Sequence, residues 1–217
     1  MARFNLNKGD RFALDKAAGL NQIQVDLTWK SGADLDASAF LVGEEGYILE
    51  DADFVFYNSK HRCDPETHED KPYSLKIYGP RSKWQDATIP YSSDGSVLGS
   101  ADDLGDGDEE EGEDASETMH VILDKVKPEV REIIFCITIY HGDEEGTTFG
   151  SVREPAVTIT NEETGEELCS YKLNEKFTSE TAVEAAKLVL NDEGEWEFEA
   201  VGQGYEGGMQ TLIDLYA

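Results

Sequence analysis

Short segments in which hydrophobic and polar residues alternate recur along most of this chain. In residues 23–29 every second residue is hydrophobic, and residues 35–41 repeat the pattern. A period of two places the hydrophobic side chains on one face of a β-strand. Further strand-like segments lie at residues 54–57, 120–123, 133–140, 156–160, 168–173 and 196–201. Turn-forming residues separate these segments, so the sequence predicts a mainly β fold, an antiparallel β-sandwich.

Only two segments favour helices. Residues 178–190 contain Thr181 and Glu184 at the spacing of a capping box, and residues 127–132 follow Asp124. We therefore expect one or two short helices near the C-terminal half. The length and hydrophobic content are sufficient for one large core, so residues 1–217 are predicted to form a single domain.

Residues 101–117 form a dense acidic loop, with ten Asp or Glu side chains and no Lys or Arg. Carboxylates at this density repel one another unless water screens them or a hard cation binds them. Gly105, Gly107 and Gly112 would let the backbone fold around such an ion. The sequence leaves two interpretations open, a calcium-binding loop and a solvated acidic loop.

The whole chain is acidic, with a formal net charge of -29. Such a charge repels phosphate backbones and anionic membrane surfaces, so nucleic acid is not expected as a partner. The charged N-terminal segment lacks a secretory signal, and the longest apolar run, residues 133–140, is too short to span a bilayer. Cys63, Cys136 and Cys169 are scattered, which is typical of reduced thiols. We therefore expect a cytoplasmic protein with no membrane span.

Two groups of oxygen donors flank predicted strands. Asp34 and Asp36 are two residues apart, so their side chains project from the same face of a strand. Asp51, Asp53 and Asn58 flank the next strand. Calcium takes about six to eight oxygen ligands, more than one loop of a sandwich supplies. The sequence therefore predicts composite metal sites, built from strand ends and the acidic loop.

Several segments carry a resemblance to a known family, in the family's own order. They are LNKGDRFAL (6–14), AAGL (17–20), DLDASAFLV (34–42), DADFVFYN (51–58), SSDGSVLGSADDLG (92–105), FGSV (149–152), NEETGEEL (161–168), SETA (179–182) and EWEFEAVGQGYEGG (195–208). Together they resemble the TerD family of tellurium-resistance and stress-response proteins. The resemblance implies a calcium-binding β-sandwich that holds a pair of adjacent Ca²⁺ ions and has no established catalytic reaction.

The resemblance also implies particular metal ligands. The family's DxDAS strand falls on Asp34 and Asp36, and the Asn that ends DFVFYN falls on Asn58. Asp102 stands at the Asp of the family's GDN motif, where Asp103 replaces the Asn. The predicted ligands are Asp34, Asp36, Asn58, Asp102, Asp106 and Asp108, with Glu110 and Glu111 as second choices.

Beyond Gly105 the chain is longer and more acidic than the family pattern. Glu113, Asp114 and Glu117 lie in this extended part. We expect these three side chains only to raise the local concentration of cations, by an effect that salt would screen.

Residues 59–91 are a second departure from the family pattern, which passes directly from FYN to SPDGSV. From residue 60 to residue 83 the chain has six basic and four acidic residues, together with large aromatic side chains. We expect an inserted lobe with an extra strand at residues 73–78. The lobe is either a neutral surface elaboration or a docking surface for the acidic loop of another copy of the chain.

Two further patterns have simpler explanations than a binding site. His61, Cys63 and His68 are of metal-binding types, but no CxxC spacing accompanies them. Residues 202–207 match the glycine spacing of a phosphate-binding GxGxxG, but no βαβ unit surrounds them. We expect a tight turn there that packs Tyr205.

The sequence leaves three functions open. The first is a calcium-binding protein that acts by Ca²⁺-stabilised assembly, with other stress-response proteins or with itself. The second is a metal-dependent hydrolase, although the chain has no nucleophile elbow, P-loop or HExxH motif, so we expect no catalysis. The third is a scaffold with calcium as a structural staple. Direct capture of tellurite, an anion, is electrostatically unfavourable on this surface.

Overall fold

The computed structural model describes residues 4–14, 19–30, 34–76, 85–100 and 115–217. These residues form sixteen strands, two helices and short 3-10 turns. The strands are β1 (Phe4–Leu6), β2 (Arg11–Ala13), β3 (Gln22–Lys30), β4 (Leu35–Gly43), β5 (Phe54–Phe56), β6 (Arg62–Cys63), β7 (Leu75–Lys76), β8 (Gln85–Asp86), β9 (Ile89–Pro90), β10 (Val97–Gly99), β11 (Ala115–Ile122), β12 (Val130–Ile139), β13 (Arg153–Asn161), β14 (Glu166–Lys172), β15 (Ala182–Leu190) and β16 (Trp196–Tyr205). The helices are α1 (Gly142–Glu145) and α2 (Gly208–Tyr216).

Two six-stranded sheets contain most of these strands. The first sheet has the order β1-β14-β13-β3-β11-β10, and the second has the order β2-β16-β15-β12-β4-β5. The pairs described in both sheets are antiparallel, except that β1 runs parallel to β14. The mainly β, antiparallel sandwich expected from the sequence is confirmed.

The hydrophobic core lies between the two sheets. Ile23, Val25 and Leu27 of β3 are fully buried, as the alternation of that strand predicts. They belong to the same cluster as Ile133 and Phe135 of β12 in the opposite sheet. Burying a side chain of this size contributes about 1.5–3 kcal/mol, so the facing apolar surfaces hold the sheets together.

The second sheet is buried on its outer face as well, because α2 packs against it. Phe40 of β4, Ile134 and Cys136 of β12, and Leu212 of α2 form a second cluster. In β4 all of residues 37–43 are buried. The central strands of this sheet are therefore buried on both faces.

The helix predicted at residues 178–190 is wrong. Residues Ala182–Leu190 form β15, which pairs with β12 on one side and β16 on the other. Thr181 does not cap a helix in its own segment: its hydroxyl donates to Asp143 Oδ1 at 2.8 Å and accepts from the amide of Gly208, at the start of α2, at 2.9 Å. Because both faces of β15 are buried, its apolar residues do not alternate, and such a run cannot be distinguished from a helix by periodicity.

The helix predicted at residues 127–132 is also wrong. A 3-10 turn covers Leu123–Lys125, and β12 begins at Val130. The backbone pairs with β4 from Val130 and with β15 from Glu132, so sheet hydrogen bonds replace those of a helix. The two helices present, α1 and α2, do lie in the C-terminal half. Neither they nor any other helix of the described residues is long and apolar enough to cross a membrane.

The described part of residues 59–91 contains two small two-stranded sheets. One pairs β6 with β9 and the other pairs β7 with β8. The strand expected at residues 73–78 is present as Leu75–Lys76. A small separate core joins this segment to β10, and its buried members are Cys63, Ile89, Tyr91 and Leu98.

Two basic residues of this segment are engaged within the fold. Arg62 is 3% exposed, and its guanidinium donates to the backbone oxygens of Tyr57, at 2.7 Å, and Thr88, at 2.8 Å. Lys71 Nζ lies 2.8 Å from Asp64 Oδ2. These two charges anchor the segment, which leaves fewer basic groups for contact with an acidic partner.

Glu184 is a buried carboxylate on the sheet face that α2 covers. Its side chain accepts hydrogen bonds from the hydroxyl groups of Tyr216, at 2.8 Å, and Tyr205, at 3.3 Å. Burial raises the pKa of Glu184 above its ordinary value, although the Tyr216 hydrogen bond, the Lys187 charge and the Tyr205 hydrogen bond oppose the rise. Glu184 therefore connects β15, β16 and α2 through one carboxyl group.

We expect Glu184 to make the free energy of unfolding fall as pH rises above the ordinary glutamate pKa. Between that value and the raised pKa, the folded protein holds a proton that the unfolded chain has released, so rising pH favours unfolding. One proton limits the slope to about 1.4 kcal/mol per pH unit. Denaturant unfolding of the wild type and Glu184→Gln, from about pH 4 to about pH 8, measures the effect. The stability of the wild type relative to the variant should decrease across this range, and a constant difference would contradict the assignment.

Candidate metal centre

Asp36 and Glu117 line one small cavity, although they belong to different sheets. Asp36 lies in β4 of the second sheet and Glu117 in β11 of the first. The remaining wall consists of Ala37, Phe56, Tyr57, Pro90, Gly99, Ser100 and Met119. The cavity volume is about 10 Å³, which is room for about one water-sized particle. Asp36 and Glu117 therefore both border a space of the size that a single ion occupies.

Both ends of the acidic loop lie at this cavity. Ser100 directly follows β10, Glu117 lies near the start of β11, and residues 101–114 connect them. The Ser100 hydroxyl donates a hydrogen bond to Glu117 Oε2 at 2.7 Å. The described residues Ser100 and Glu117, on either side of residues 101–114, therefore border the same cavity as Asp36.

The donors at the cavity fit a hard cation. Carboxylate and hydroxyl oxygens are ligands that Ca²⁺ prefers, and it takes about six to eight of them. Asp36, Glu117 and Ser100 supply fewer, and within the described ranges no three His, Cys, Asp or Glu side chains are grouped to hold a metal ion. A complete coordination shell at this point would need further oxygen ligands.

Three of the predicted ligands fall within the described residues. Asp34 directly precedes β4, and Asp36 lies on the same face of that strand, opposite the core residues. Partial burial and the charge of Glu145 raise the pKa of Asp34, and His141 opposes the rise. Asn58 is exposed in the turn after β5. The other predicted ligands, Asp102, Asp106, Asp108, Glu110 and Glu111, lie outside the described residues.

Glu117 is a candidate ligand, although the sequence analysis expects its side chain only to raise the local concentration of cations. It lies within β11, and its side chain lines the cavity. The period of two could have identified it, because Met119 and Val121 of the same strand are core residues. Glu117, two residues before Met119, therefore faces the space between the sheets.

Asp53, from the second predicted donor group, already has a cation of the protein as its partner. The Asp53 side chain is fully buried, and Lys127 Nζ lies 3.3 Å and 3.4 Å from its two oxygens. The Ser93 hydroxyl donates to the same carboxylate at 2.6 Å. Burial disfavours the charged ammonium, but Glu50 and Asp53 outweigh this and raise the pKa of Lys127. Asp53 therefore belongs to an internal ion pair.

His61, Cys63 and His68 are not grouped as metal ligands in the part of the chain that the structure describes. Cys63 is fully buried, and burial, with the charge of Asp64, raises its pKa to about 11. The His61 ring stacks on Tyr91, with the ring centroids 4.0 Å apart. These contacts pack the segment against its small core.

The glycine-rich segment near the C-terminus allows close packing. The tight turn predicted around Tyr205 is wrong. These residues are part of a strand, because β16 continues through Gly202 and Gly204 to Tyr205. Gly202 has a φ of +61°, and a Cβ there would lie 2.1 Å from the Tyr171 hydroxyl oxygen. A Cβ on Gly204 would lie 2.7 Å from Glu180 Cγ. Because these glycines have no side chain, neighbouring segments can pack closely against β16. The glycines therefore have a packing role and do not form a phosphate-binding loop.

The chain is similar over nearly its whole length to proteins of one family. A family model described as the TerD domain matches residues 1–73 and 84–216. The tellurium resistance protein TerD of Serratia marcescens is 32% identical, and the match covers 98% of this chain and 96% of that protein. General stress protein 16U of Bacillus subtilis (strain 168) has the same identity and the same coverage.

A solved structure has a related fold. The crystal structure of a homologue of telluride resistance protein (TerD) from Streptomyces coelicolor A3(2) matches with a TM-score of 0.58. The match covers 90% of this chain and 96% of that chain. At 20% sequence identity, this likeness supports the fold alone.

Proposed function

The chain belongs to the TerD family, and on that premise we propose that it is a calcium-binding protein of a stress-response system. It acts by Ca²⁺-stabilised binding or assembly and not by catalysis. The partners are other stress-response proteins or further copies of the chain, in the cytoplasm. The relatives named for tellurium resistance and general stress motivate the biological context.

The observation that carries this proposal is the cavity between Asp36 and Glu117. It is lined by acidic residues from two different sheets and by the two ends of a segment dense in further carboxylates. Acidic residues gathered around one small space repel one another, and a cation bound among them relieves the repulsion. A bound ion would therefore hold β4, β11 and the acidic loop together.

We propose a pair of ions because the predicted ligands supply more oxygen atoms than one Ca²⁺ ion can bind. Asp34 precedes Asp36 on the same face, and Asn58 supplies a neutral oxygen after β5. The remaining ligands would come from Asp102, Asp106 and the other acids of the loop. Ions shared between two sheets and a loop make binding and folding of this region interdependent.

Isothermal calorimetry of chelator-stripped protein tests the proposal. We expect saturable binding of about two Ca²⁺ ions, tighter than Mg²⁺, because Mg²⁺ demands a stricter octahedral geometry. Asp36→Asn should lose at least one ion, and Glu117→Gln should weaken binding about tenfold or more, since each removes a charged ligand. The matched control is Glu193→Gln, an exposed glutamate in the turn before β16.

Two results would contradict the ligand assignment. One is unchanged stoichiometry and affinity in both Asp36→Asn and Glu117→Gln. The other is an equal weakening in Glu193→Gln, which would mean that the chain binds cations as a diffuse polyanion. Absence of any calcium binding to the wild type would overturn the proposed function itself.

A further inference from the structure

A second and larger cavity also borders Asp36. Its volume is about 270 Å³. It is formed by β4, the end of β5, the end of β12, α1 and the first residues of α2. A space of this size is much wider than a bare metal ion needs, and it is comparable to a small ligand pocket.

Aromatic rings form a large part of the cavity wall. Phe56, Tyr57 and Tyr140 all line it. Tyr57 and Tyr140 pack edge to face, with their ring centroids 6.0 Å apart. Tyr140 is 44% exposed, so part of its side chain is accessible to a ligand. The ring faces carry a negative quadrupole, which attracts cations.

Carboxylates line the same cavity. They belong to Asp36, Asp143 and Glu144. Asp143 Oδ1 accepts the Thr181 hydroxyl at 2.8 Å, which fixes the orientation of that carboxylate. These acids are dispersed around the wall and do not form a metal cluster in the described part of the chain. Their combined charge still favours a positive ligand over a negative one.

The positive groups near the cavity have partners of their own. His141 Nδ1 lies 3.0 Å from Glu144 Oε2, so a charge on that imidazole is paired. The Gly208 amide at the start of α2 donates to the Thr181 hydroxyl at 2.9 Å. This amide at the N-terminus of α2 is therefore satisfied by a protein oxygen.

We propose that this acidic-aromatic cavity binds an organic cation, an alkylammonium or guanidinium group. Ring faces from Phe56, Tyr57 and Tyr140 would contact the apolar part and the diffuse charge, while the carboxylates would pair with the N–H donors. The chemistry is the same for a free polyamine and for a Lys or Arg side chain of a partner protein. The site is distinct from the small cavity assigned to calcium, although Asp36 borders both.

Titration of the full chain with n-butylammonium, followed by NMR of the backbone amides, tests this site. We expect saturable shifts at one site, centred on Tyr140 and Gly208. The neutral molecule 1-butanol, matched in length, should bind at least fivefold more weakly because it lacks the charge. Equal binding of the two molecules, or no saturable shift with n-butylammonium, would overturn the proposal.

Variants at exposed tyrosines separate the site from general surface effects. Tyr140→Ala should weaken n-butylammonium binding about fivefold, and Tyr140→Phe should retain it, because the ring face is the interacting group. Tyr47 is 55% exposed and does not line the cavity, so Tyr47→Ala is the matched control. Equal losses in Tyr140→Ala and Tyr47→Ala would overturn the assignment.

The same titrations at saturating Ca²⁺ and in EDTA distinguish this site from the calcium proposal. Binding of n-butylammonium in both conditions supports a separate site, even if the protein proves to bind no calcium. Stoichiometric displacement of n-butylammonium by Ca²⁺ would place the cavity within the metal centre and overturn the proposal. A comparison of spermidine with a short peptide that contains one lysine identifies the source of the cation. Tighter binding of spermidine indicates a free polyamine, and tighter binding of the peptide indicates a side chain of a partner protein.

Discussion

Replacing Lys127 with methionine is expected to lower the free energy of unfolding by about 3 kcal/mol or more. The variant removes the only ammonium that the described residues place against the fully buried Asp53. The Ser93 hydroxyl would remain as a donor to Asp53, but a hydroxyl does not neutralise a buried charge. Denaturant unfolding of the wild type and the variant measures the difference. Both should be measured in EDTA, because Glu50 and Asp53 would otherwise recruit a cation in place of Lys127.

Lys71→Met is the matched control for this substitution. Lys71 lies 2.8 Å from Asp64, closer than Lys127 is to Asp53, but both side chains of the Lys71 pair are more exposed. Exposed ion pairs contribute about 0–1 kcal/mol, so the control should change stability only slightly. The double variant Asp53→Asn with Lys127→Met should recover part of the loss, because no unpaired charge remains buried. If Lys127→Met and Lys71→Met lower the free energy of unfolding by similar small amounts, the burial of Asp53 does not determine the strength of its ion pair.

Removing calcium is expected to lower the melting temperature by about 5–10 °C. Ligand linkage contributes about 2.7 kcal/mol when the free ion is at a hundredfold excess over its dissociation constant. For a domain of this size, about 1 kcal/mol corresponds to about 2–4 °C. The physical cause is the repulsion between Asp36, Glu117 and the loop acids once no cation lies between them. Calorimetric melting in excess Ca²⁺ and in excess EDTA measures the shift.

Asp36→Asn provides an internal check on this prediction. The variant removes one of the facing charges and one proposed ligand, so the difference between its Ca²⁺ and EDTA melting temperatures should be smaller than that of the wild type. Glu193→Gln should keep the full difference. Superimposable melting curves of the wild type in Ca²⁺ and EDTA, with the metal-free state verified, would exclude a structural calcium site.

Local sequence patterns predicted the strands correctly where only one face of a strand is buried. In β3 the alternation of residues 23–29 reproduces the observed burial, because the neighbouring side chains point to opposite faces. The pattern failed for β15, where α2 covers the outer face of the sheet and side chains on both faces are buried. A short segment cannot reveal that a helix from the end of the chain will cover it. The helix predicted at residues 178–190 was wrong for this reason.

Features that follow from local backbone geometry could be predicted from the amino-acid sequence. They include the placement of Asp34 and Asp36 on one face of a strand and the concentration of carboxylates in one segment. The partners of these acids could not be predicted, because they depend on the tertiary structure. Asp53 acquires its cation from Lys127, 74 residues away in the chain, and Glu117 lines a cavity with Asp36 of the other sheet. Local periodicity is fixed by the geometry of a single strand, whereas these encounters depend on how distant segments pack against each other across two sheets.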